Sequence, residues 1–274
     1  MLYKNFYKII FNVLLIIAGL STLFPLLWMI SASFMKPGEA STVPLKLIPE
    51  SFTLRNYEIL FSRLNLFRYF LNSIIISISA TFISLFFNSL AGYAFAKLQF
   101  NGKDKLFNFL LSLMIIPGQV TMLPLFLILK NLGLVNTYIG AIIPGMTSVF
   151  GIFMMRQFII TIPDSLIESA KIDGAGEFQI YLKIILPLCK PALVTLGLFT
   201  FIGMWNDFLW PLIIMTDNSM YTLPVAIANL MGEHAHDTEL MMSGSVVTVL
   251  PTILAFTIAQ RYYIQGIMTG SLKE

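Results

Sequence analysis

Residues 163–187 read Pro163-Asp-Ser-Leu-Ile-Glu-Ser-Ala-Lys-Ile-Asp-Gly-Ala-Gly-Glu-Phe-Gln-Ile-Tyr-Leu-Lys-Ile-Ile-Leu-Pro187. The stretch is too polar to cross a membrane and too regularly patterned to be a linker. Ser165 followed three residues later by Glu168 has the spacing of a capping box, which predicts a helix starting there. Leu166, Ile167 and Ala170 share one face of that helix, and Glu168, Lys171 and Asp173 fall on the other. Gly174 stands just past the predicted helix end, where a left-handed backbone is needed. Phe178, Tyr181, Leu182 and Ile185 form a second apolar stripe that stops at Pro187. The residues therefore predict two short helices joined by a glycine turn. They leave open whether this knob is gripped by another protein, rests on lipid headgroups or packs on its own chain.

On both sides of this stretch the sequence turns apolar. Of 274 residues, 57% are hydrophobic and 11% charged, where a soluble globular domain carries roughly 25% charged residues. Fourteen Asp and Glu with seventeen Lys and Arg are too few to clothe a water-soluble surface of this size, so lipid must solvate the remainder. A spanning helix needs about 20 largely apolar residues. The segments that qualify are Ile9 to Ser31, Tyr69 to Ala96, Leu106 to Leu129, Tyr138 to Met155, Pro191 to Met215 and Ser245 to Ile264. Pro117-Gly118 and Pro124 interrupt the third, and Pro144-Gly145 the fourth. Such breaks are tolerated where protein rather than lipid covers the freed backbone. These two spans are therefore expected to line an interior or a pathway. The fold class is all-α: a polytopic membrane protein of about six transmembrane helices, with the folded loop 156–190 between the fourth and fifth. The chain divides into 1–68, the first span with a following external segment, and 69–274, the transmembrane core.

The apolar run Ile9 to Ile30 follows Lys4 and Lys8 and imitates a secretory signal. It is longer than the usual 7–15 residues of such a signal, and it contains Pro25 and Trp28 in place of a small-residue cleavage site. We read it as a retained first span. Eleven of the seventeen Lys and Arg, among them Lys4, Lys97, Lys103, Arg156 and Lys190, fall on the side of the N-terminus, against six on the other. That excess predicts both termini and the loop 156–190 in the cytoplasm. The single cysteine, Cys189, excludes an internal disulfide framework and sits in an apolar run, as a small buried residue would. A net charge of +3 without a long basic run argues against nucleic acid as a partner.

The loop also carries a resemblance. Glu168-Ser169-Ala170, Asp173-Gly174-Ala175, Ile184 and Leu186-Pro187 resemble the EAA loop of bacterial ATP-binding-cassette (ABC) importer permeases. That loop has Glu-Ala-Ala, a glycine four residues on and an Ile-x-Leu-Pro ending; here Ser169 replaces the central alanine, a small change. Five further stretches are similar to the second, G-type permease of the maltose-type importers (carbohydrate uptake family 1). They are Asn72-Ser73, Ala91-Gly92-Tyr93-Ala94-Phe95-Ala96, Arg156-Gln157-Phe158, Trp205-Asn206-Asp207-Phe208-Leu209-Trp210-Pro211, and Arg261-Tyr262-Tyr263-Ile264-Gln265-Gly266 with Gly270. This group lies within the binding-protein-dependent transport inner-membrane component family, and the resemblance covers nearly the whole chain.

The resemblance implies a bacterial cytoplasmic-membrane machine for sugar or oligosaccharide uptake. In it two different permeases form a heterodimer, two cytoplasmic ABC ATPases sit beneath, and an extracytoplasmic sugar-binding protein delivers the solute. It implies that Glu168, Ser169, Ala170, Asp173, Gly174 and Ala175 dock in an ATPase cleft and that the tail Gln265 to Glu274 reaches the ATPase interface. The external segment Asp217 to Met242 is implied to contact the binding protein. Neither a catalytic residue nor a cofactor is implied for this chain, ATP and magnesium being held by the partner ATPase. One rival is an importer of glycerol-phosphate or another polar solute. Another is an ion-coupled secondary transporter, against which stand the lack of an internal repeat and the presence of the knob. A membrane scaffold without transport activity is the third.

Asp207 is the carboxylate well inside a predicted span, beside Asn206. A charge in the membrane is costly and points to function by default. Asn206 and Asp207 suit sugar hydroxyls, and Trp205 or Trp210 would stack on a sugar face; the competing reading is a bond to backbone or to the partner permease. Gln119 and Thr121, beside Pro117-Gly118, suit either a pathway or helix-to-helix hydrogen bonds. Glu233-His234-Ala-His236-Asp237-Thr-Glu239 has metal-binding residue types, but a His-x-His pair shares one side only in extended backbone. No matching ligands appear elsewhere, so a metal site is not expected. The fifteen methionines suit adaptable packing. Gly102-Lys103 precedes Asp104 and lacks the upstream glycine of a P-loop, so ATP binding by that route is excluded. Neither His-Glu-x-x-His nor Gly-x-Ser-x-Gly occurs.

Overall fold

The computed structural model describes residues 2–62, 65–233 and 237–271, and among them every regular element is helical. In chain order these are α1 (Leu2–Ser33), α2 (Arg55–Ser62), α3 (Leu66–Lys97), α4 (Lys103–Ser112), α5 (Gly118–Asn131), α6 (Tyr138–Ile142) and α7 (Val149–Ile160). There follow α8 (Asp164–Ile172), α9 (Glu177–Ile180), α10 (Leu186–Leu188), α11 (Lys190–Trp205), α12 (Leu209–Ile214), α13 (Leu223–Glu233) and α14 (Thr238–Ser271). Three stretches, Ile10–Ser33, Leu66–Lys97 and Thr238–Gln260, are long and apolar enough to cross a membrane. Three bent pairs qualify when each is counted as one span. They are Lys103–Ile115 with Gly118–Asn131, bent by 102°, Tyr138–Gly145 with Val149–Ile160, bent by 48°, and Glu177–Leu188 with Lys190–Trp205, bent by 81°.

The first two bends fall at Pro117 and just after Pro144-Gly145, where breaks were expected. Two other expectations are corrected. Pro124 lies inside α5 without ending it, because a membrane helix survives the loss of one donor when its other bonds stay in place. The fifth span is not one helix from Pro191 to Met215. It ends at Trp205 and restarts at Leu209, with Asn206, Asp207 and Phe208 non-helical between. Asp207 is the physical reason: its Oδ1 accepts the N–H of Trp210 at 3.4 Å, and a side chain that captures backbone donors competes with the helix.

The chain forms two units, one comprising Met1–Phe67 and Ala226–Pro251, the other Arg68–Val225 and Thr252–Glu274. In the first, α1 is exposed along its apolar length, with Leu14, Ile16 and Leu20 all open, as expected of a helix whose solvent is lipid or another chain. The segment after α1 gives its backbone donors to side chains. Glu39 accepts the N–H groups of Lys36 and Glu50 at 3.1 and 2.6 Å, and the buried Glu239 accepts that of Ala40 at 2.6 Å. Asn56 donates to the carbonyls of Ser33 and Met35, both at 2.9 Å. These bonds supply what a helix would otherwise have provided.

In the second unit, residues 163–188 form a built structure. α8 starts at Asp164, one residue before the expected cap, and Ser165 makes no capping bond. Pro163, with φ −60°, sets the entry instead, and the Ser165 carbonyl accepts from Ser169 Oγ at 2.8 Å. The end of α8 agrees with the spacing. Gly174 has φ +80°, the Ala175 N–H reaches the Ala170 carbonyl at 2.9 Å, and the Gly174 N–H reaches that of Lys171 at 3.0 Å. These are the paired bonds of a Schellman turn. α9 runs through a π turn over Tyr181–Ile185 into α10, so the second helix passes Pro187 rather than stopping there. The turn widens just before Pro187, whose ring would meet the carbonyl of Lys183 in a regular helix.

Ile167, Ala170, Ile180, Tyr181 and Ile185 are buried in one apolar cluster with Tyr93 of α3, Met155 and Ile159 of α7 and Leu196 of α11. Full burial of one such side chain contributes about 1.5–3 kcal/mol, which fixes the loop to the helices beneath it. α3 and α7 approach closely at Gly92, where an added Cβ would lie 2.6 Å from Met155 Cβ and 3.0 Å from Arg156 N. Gly92→Ala is therefore expected to cost about 3 kcal/mol through overpacking. Gly174→Ala meets nothing within 4 Å and carries only the left-handed backbone penalty, about 1 kcal/mol. Thermal unfolding of the purified protein should rank Gly92→Ala below Gly174→Ala and both below the parent; the reverse order contradicts the close approach.

Candidate functional site

Glu168, Ser169, Asp173 and Gly174 are exposed on the loop, Ala175 is half-buried and Ala170 is buried. Of the six residues marked by the sequence, four form an outward crown. Ala170 and Ala175 form its footing, closed by the bond between them. Around the crown stand large apolar side chains, of which Leu166, Phe178 and Leu182 belong to the two stripes read from the sequence and Ile172 to neither. Ile172 is 86% and Phe178 55% exposed, and Leu166 and Leu182 are also open. A helix this short buries only a narrow stripe. Ile167 and Ala170 take the inner positions, and Leu166, about 100° around the axis from Ile167, faces out. Apolar side chains clustered among exposed acidic ones mark an interaction surface.

The footing is tied to α3. Ser89, Tyr93 and Lys97 recur every four residues and so lie on one stripe of that helix; each bonds to the loop region. The hydroxyls of Ser89 and Tyr181 are 2.8 Å apart, and Tyr93 Oη donates to Glu177 Oε2 at 2.7 Å. Lys97 Nζ donates to the Ile162 carbonyl and to Asp164 Oδ1, both at 2.6 Å. The other Glu177 oxygen pairs with Lys171 at 2.6 Å, so a single carboxylate joins α3, α8 and α9. The bond from Lys171, and then that from Tyr93, holds the Glu177 carboxyl below its ordinary range. From α7, Arg156 Nε donates to the Phe95 carbonyl at 3.1 Å while its guanidinium lies 4.1 Å from the centre of the Phe107 ring.

A second feature lies where the fourth span breaks. Ser148 Oγ accepts the N–H of Gly151 at 2.9 Å and caps the restarting helix. Asn88 of α3 covers the gap. Its Oδ1 accepts from the Thr147 hydroxyl at 2.9 Å and the Ser148 N–H at 3.0 Å, and its Nδ2 donates to Ser84 Oγ at 2.7 Å. Beside the break is a cleft of about 310 Å³, whose lining includes Ser84, Gly145, Thr147, Ser148, Thr200 and the rings of Phe150 and Phe199. Non-helical backbone at membrane depth is tolerated where it is buried in protein or lines a cavity, and this break does the latter. The sequence reading passed over Ser84, Asn88, Thr147, Ser148 and Thr200. The available signals were the four-residue spacing of Ser84 and Asn88 and the serine just ahead of α7.

The residues proposed from the sequence for a pathway lie elsewhere, since none of them lines the cleft. Trp205, 1% exposed, packs its ring 5.6 Å from Phe70 and 5.9 Å from Phe201. Trp210, 2% exposed, donates Nε1 to the Gly140 carbonyl at 3.1 Å. Both indoles are enclosed by packing, which leaves no open face for a sugar. Asp207 Oδ1 accepts the Trp210 N–H in the first turn of α12, whereas Asn206 and Gln119 are exposed. Thr121 Oγ1 donates to the Gly118 carbonyl at 2.8 Å within its own helix. Asn72 is a packing node, donating to the carbonyls of Ser219 and Tyr221 at 3.0 and 2.9 Å and accepting from Tyr138 Oη at 2.7 Å. His234, His236 and the side chains of the tail Gln265 to Glu274 lie outside the described residues. Among the described residues, no group of three or more His, Cys, Asp or Glu is placed to hold a metal ion.

Comparison with known proteins gives this geometry a family. Residues 88–269 match the family described as Binding-protein-dependent transport system inner membrane component. The chain is 38% identical over 253 residues to the arabinooligosaccharides transport system permease protein AraQ of Halalkalibacterium halodurans, with 91% of each chain covered. It is 34% identical over 270 residues to AraQ of Bacillus subtilis, covering 97% of this chain and 96% of that one. To the diacetylchitobiose uptake system permease protein NgcG of Streptomyces coelicolor it is 29% identical, covering 96% and 88%. The fold superposes on the crystal structure of a bacterial ABC transporter involved in import of the acidic polysaccharide alginate. The TM-score is 0.84 at 25% identity, with 94% of this chain and 97% of that chain covered. The chain belongs to the binding-protein-dependent transport system inner membrane component family.

Proposed function

We propose that the chain is the second, G-type permease of an ABC importer that carries a sugar or short oligosaccharide across the bacterial cytoplasmic membrane. The observation that carries this reading is the crown on residues 163–188, exposed, partly apolar and seated on a rigid footing. In this reading the side rich in Lys and Arg is cytoplasmic, which places both termini and the crown there. The crown docks in a cleft of one of two ABC ATPase subunits. Burying a side chain such as Leu166, Ile172, Phe178 or Leu182 gains about 1.5–3 kcal/mol, against an association cost of several kcal/mol.

The mechanism is alternating access. ATP closes the ATPase pair, α8 moves with the cleft that grips it, and the spans rotate to open the pathway outward. An extracytoplasmic binding protein delivers the solute to a pathway shared with the second permease, and hydrolysis restores the inward-facing state. The work done on the spans is the difference in the partners' affinity for the two conformations. ATP and magnesium act on the partner ATPase, and this chain makes and breaks no covalent bond. A carbohydrate solute is supported by the names of the relatives. It is supported as well by the cleft, where the Thr200 hydroxyl stands with the Phe150 and Phe199 rings beside the bonded network of Ser84, Thr147 and Ser148, suiting a solute that has both hydroxyls and apolar ring faces.

Gly174→Pro is expected to abolish both uptake and recovery of the ATPase with tagged permease, while membrane insertion stays normal. Proline cannot reach the observed φ of +80° and lacks the N–H that bonds Lys171. ATPase recovered at the parent level would contradict docking through this loop. Thr200→Val should lower uptake of arabinotriose about fivefold with ATPase recovery unchanged; uptake at the parent rate would remove the cleft from the path. A thermal-shift screen on the partner binding protein should respond to a sugar, and a response confined to phosphorylated polyols would displace the carbohydrate assignment.

A further inference from the structure

The loop that forms the crown has a weak point. Gly174 and Gly176 flank Ala175 between α8 and α9, and a hinge of this composition would bend and absorb a push delivered to α8. Two bonds cross it. Lys171 on one side pairs with Glu177 on the other at 2.6 Å, and the second Glu177 oxygen is held at 2.7 Å by Tyr93 of α3. The Lys171–Glu177 pair is half-exposed on both sides, and such a pair contributes little alone. The bond from Tyr93 differs, since the phenol is 2% exposed and its acceptor is ionised, which makes the bond short and directional.

We infer that Ser89, Tyr93 and Lys97 gear the loop to α3, with Tyr93 as the positioning residue that makes α3 follow α8. The three side chains span two four-residue steps of one stripe, about 12 Å of helix. One bond would act as a pivot, whereas three spread over that length resist rotation of the loop against the helix. Ser89 grips the π turn through Tyr181, Tyr93 grips the glycine hinge through Glu177, and Lys97 grips the start of α8 through Asp164 and the Ile162 carbonyl. Every part of the loop is thus tied to the same helix, and α3 is long enough to carry the displacement across the membrane. This inference rests on the reading that the crown docks on an ATPase.

The test uses the assembled complex with partner subunits freed of reactive cysteines. Leu71→Cys, exposed at the other end of α3, takes an environment-sensitive fluorophore, and Cys189, fully buried, stays unlabelled. The signal is the change in fluorescence on trapping with ATP and vanadate. Tyr93→Phe is expected to keep ATP hydrolysis while reducing that change about threefold. Glu177→Gln, which also removes the pair with Lys171, should reduce it at least as much, and the double variant should lose no more than Glu177→Gln alone, because Tyr93 acts through that carboxylate. A full-amplitude signal in Tyr93→Phe, or additive loss in the double variant, overturns the inference. Joint loss of hydrolysis and signal assigns Tyr93 to assembly and overturns it too. Failure of an ATPase to purify with the parent chain removes the docking reading itself, a result distinct from all of these.

Discussion

A chain in lipid cannot leave backbone N–H and C=O groups unpaired, and this constraint organises the spanning part of the protein. It makes the spans helical, and at several of their breaks a side chain takes over the freed backbone groups. Thr137 Oγ1 accepts from Gly140, Ser148 Oγ from Gly151 and Asp207 Oδ1 from Trp210, while Asn88 serves both Thr147 and Ser148. Part of the chain's polar complement therefore serves these breaks. The breaks, in turn, are where the protein departs from a set of straight rods and acquires a cleft.

The loop 163–188 obeys a different requirement. Its first helix, α8, lies outside every candidate span, and a polar segment in water needs no fixed fold, since water can satisfy its backbone groups. It nevertheless has a defined fold: a proline starts α8, a Schellman turn ends it, and a π turn carries the second helix past Pro187. Its inner side joins a cluster built from α3, α7 and α11. This combination leaves an outer face that is open and partly apolar above an inner face packed on three helices.

Burial also revises the chemistry assigned to individual residues. An intramembrane carboxylate or a pair of tryptophans suggests solute binding when read alone. In the folded chain Asp207 is occupied by a backbone donor, Trp205 by Phe70 and Phe201, and Trp210 by a carbonyl. The residues beside the cleft are plainer ones: serines, threonines, an asparagine and phenylalanines. Hydroxyls and amides carry little signal in a membrane sequence, because most of them bond back to their own helix, as Ser77 and Thr81 do.

The sequence alone determined what depends on short windows. Partition into lipid follows from the summed hydropathy of about 20 residues, and so the spans were readable. The left-handed turn at Gly174 follows from backbone sterics at one residue, and the pattern around Glu168 carries the family resemblance. Tertiary structure alone decided which apolar residues of α8 and α9 face outward, since a short helix has too little surface to bury a whole stripe. It alone joined Tyr93 to Glu177 across 84 residues and brought Asn88 to the gap beside Thr147. The physical reason is that a hydrogen bond between distant residues depends on where packing sets two backbones to within an ångström. That placement comes from the balance of many apolar contacts, and no local pattern of residues encodes it.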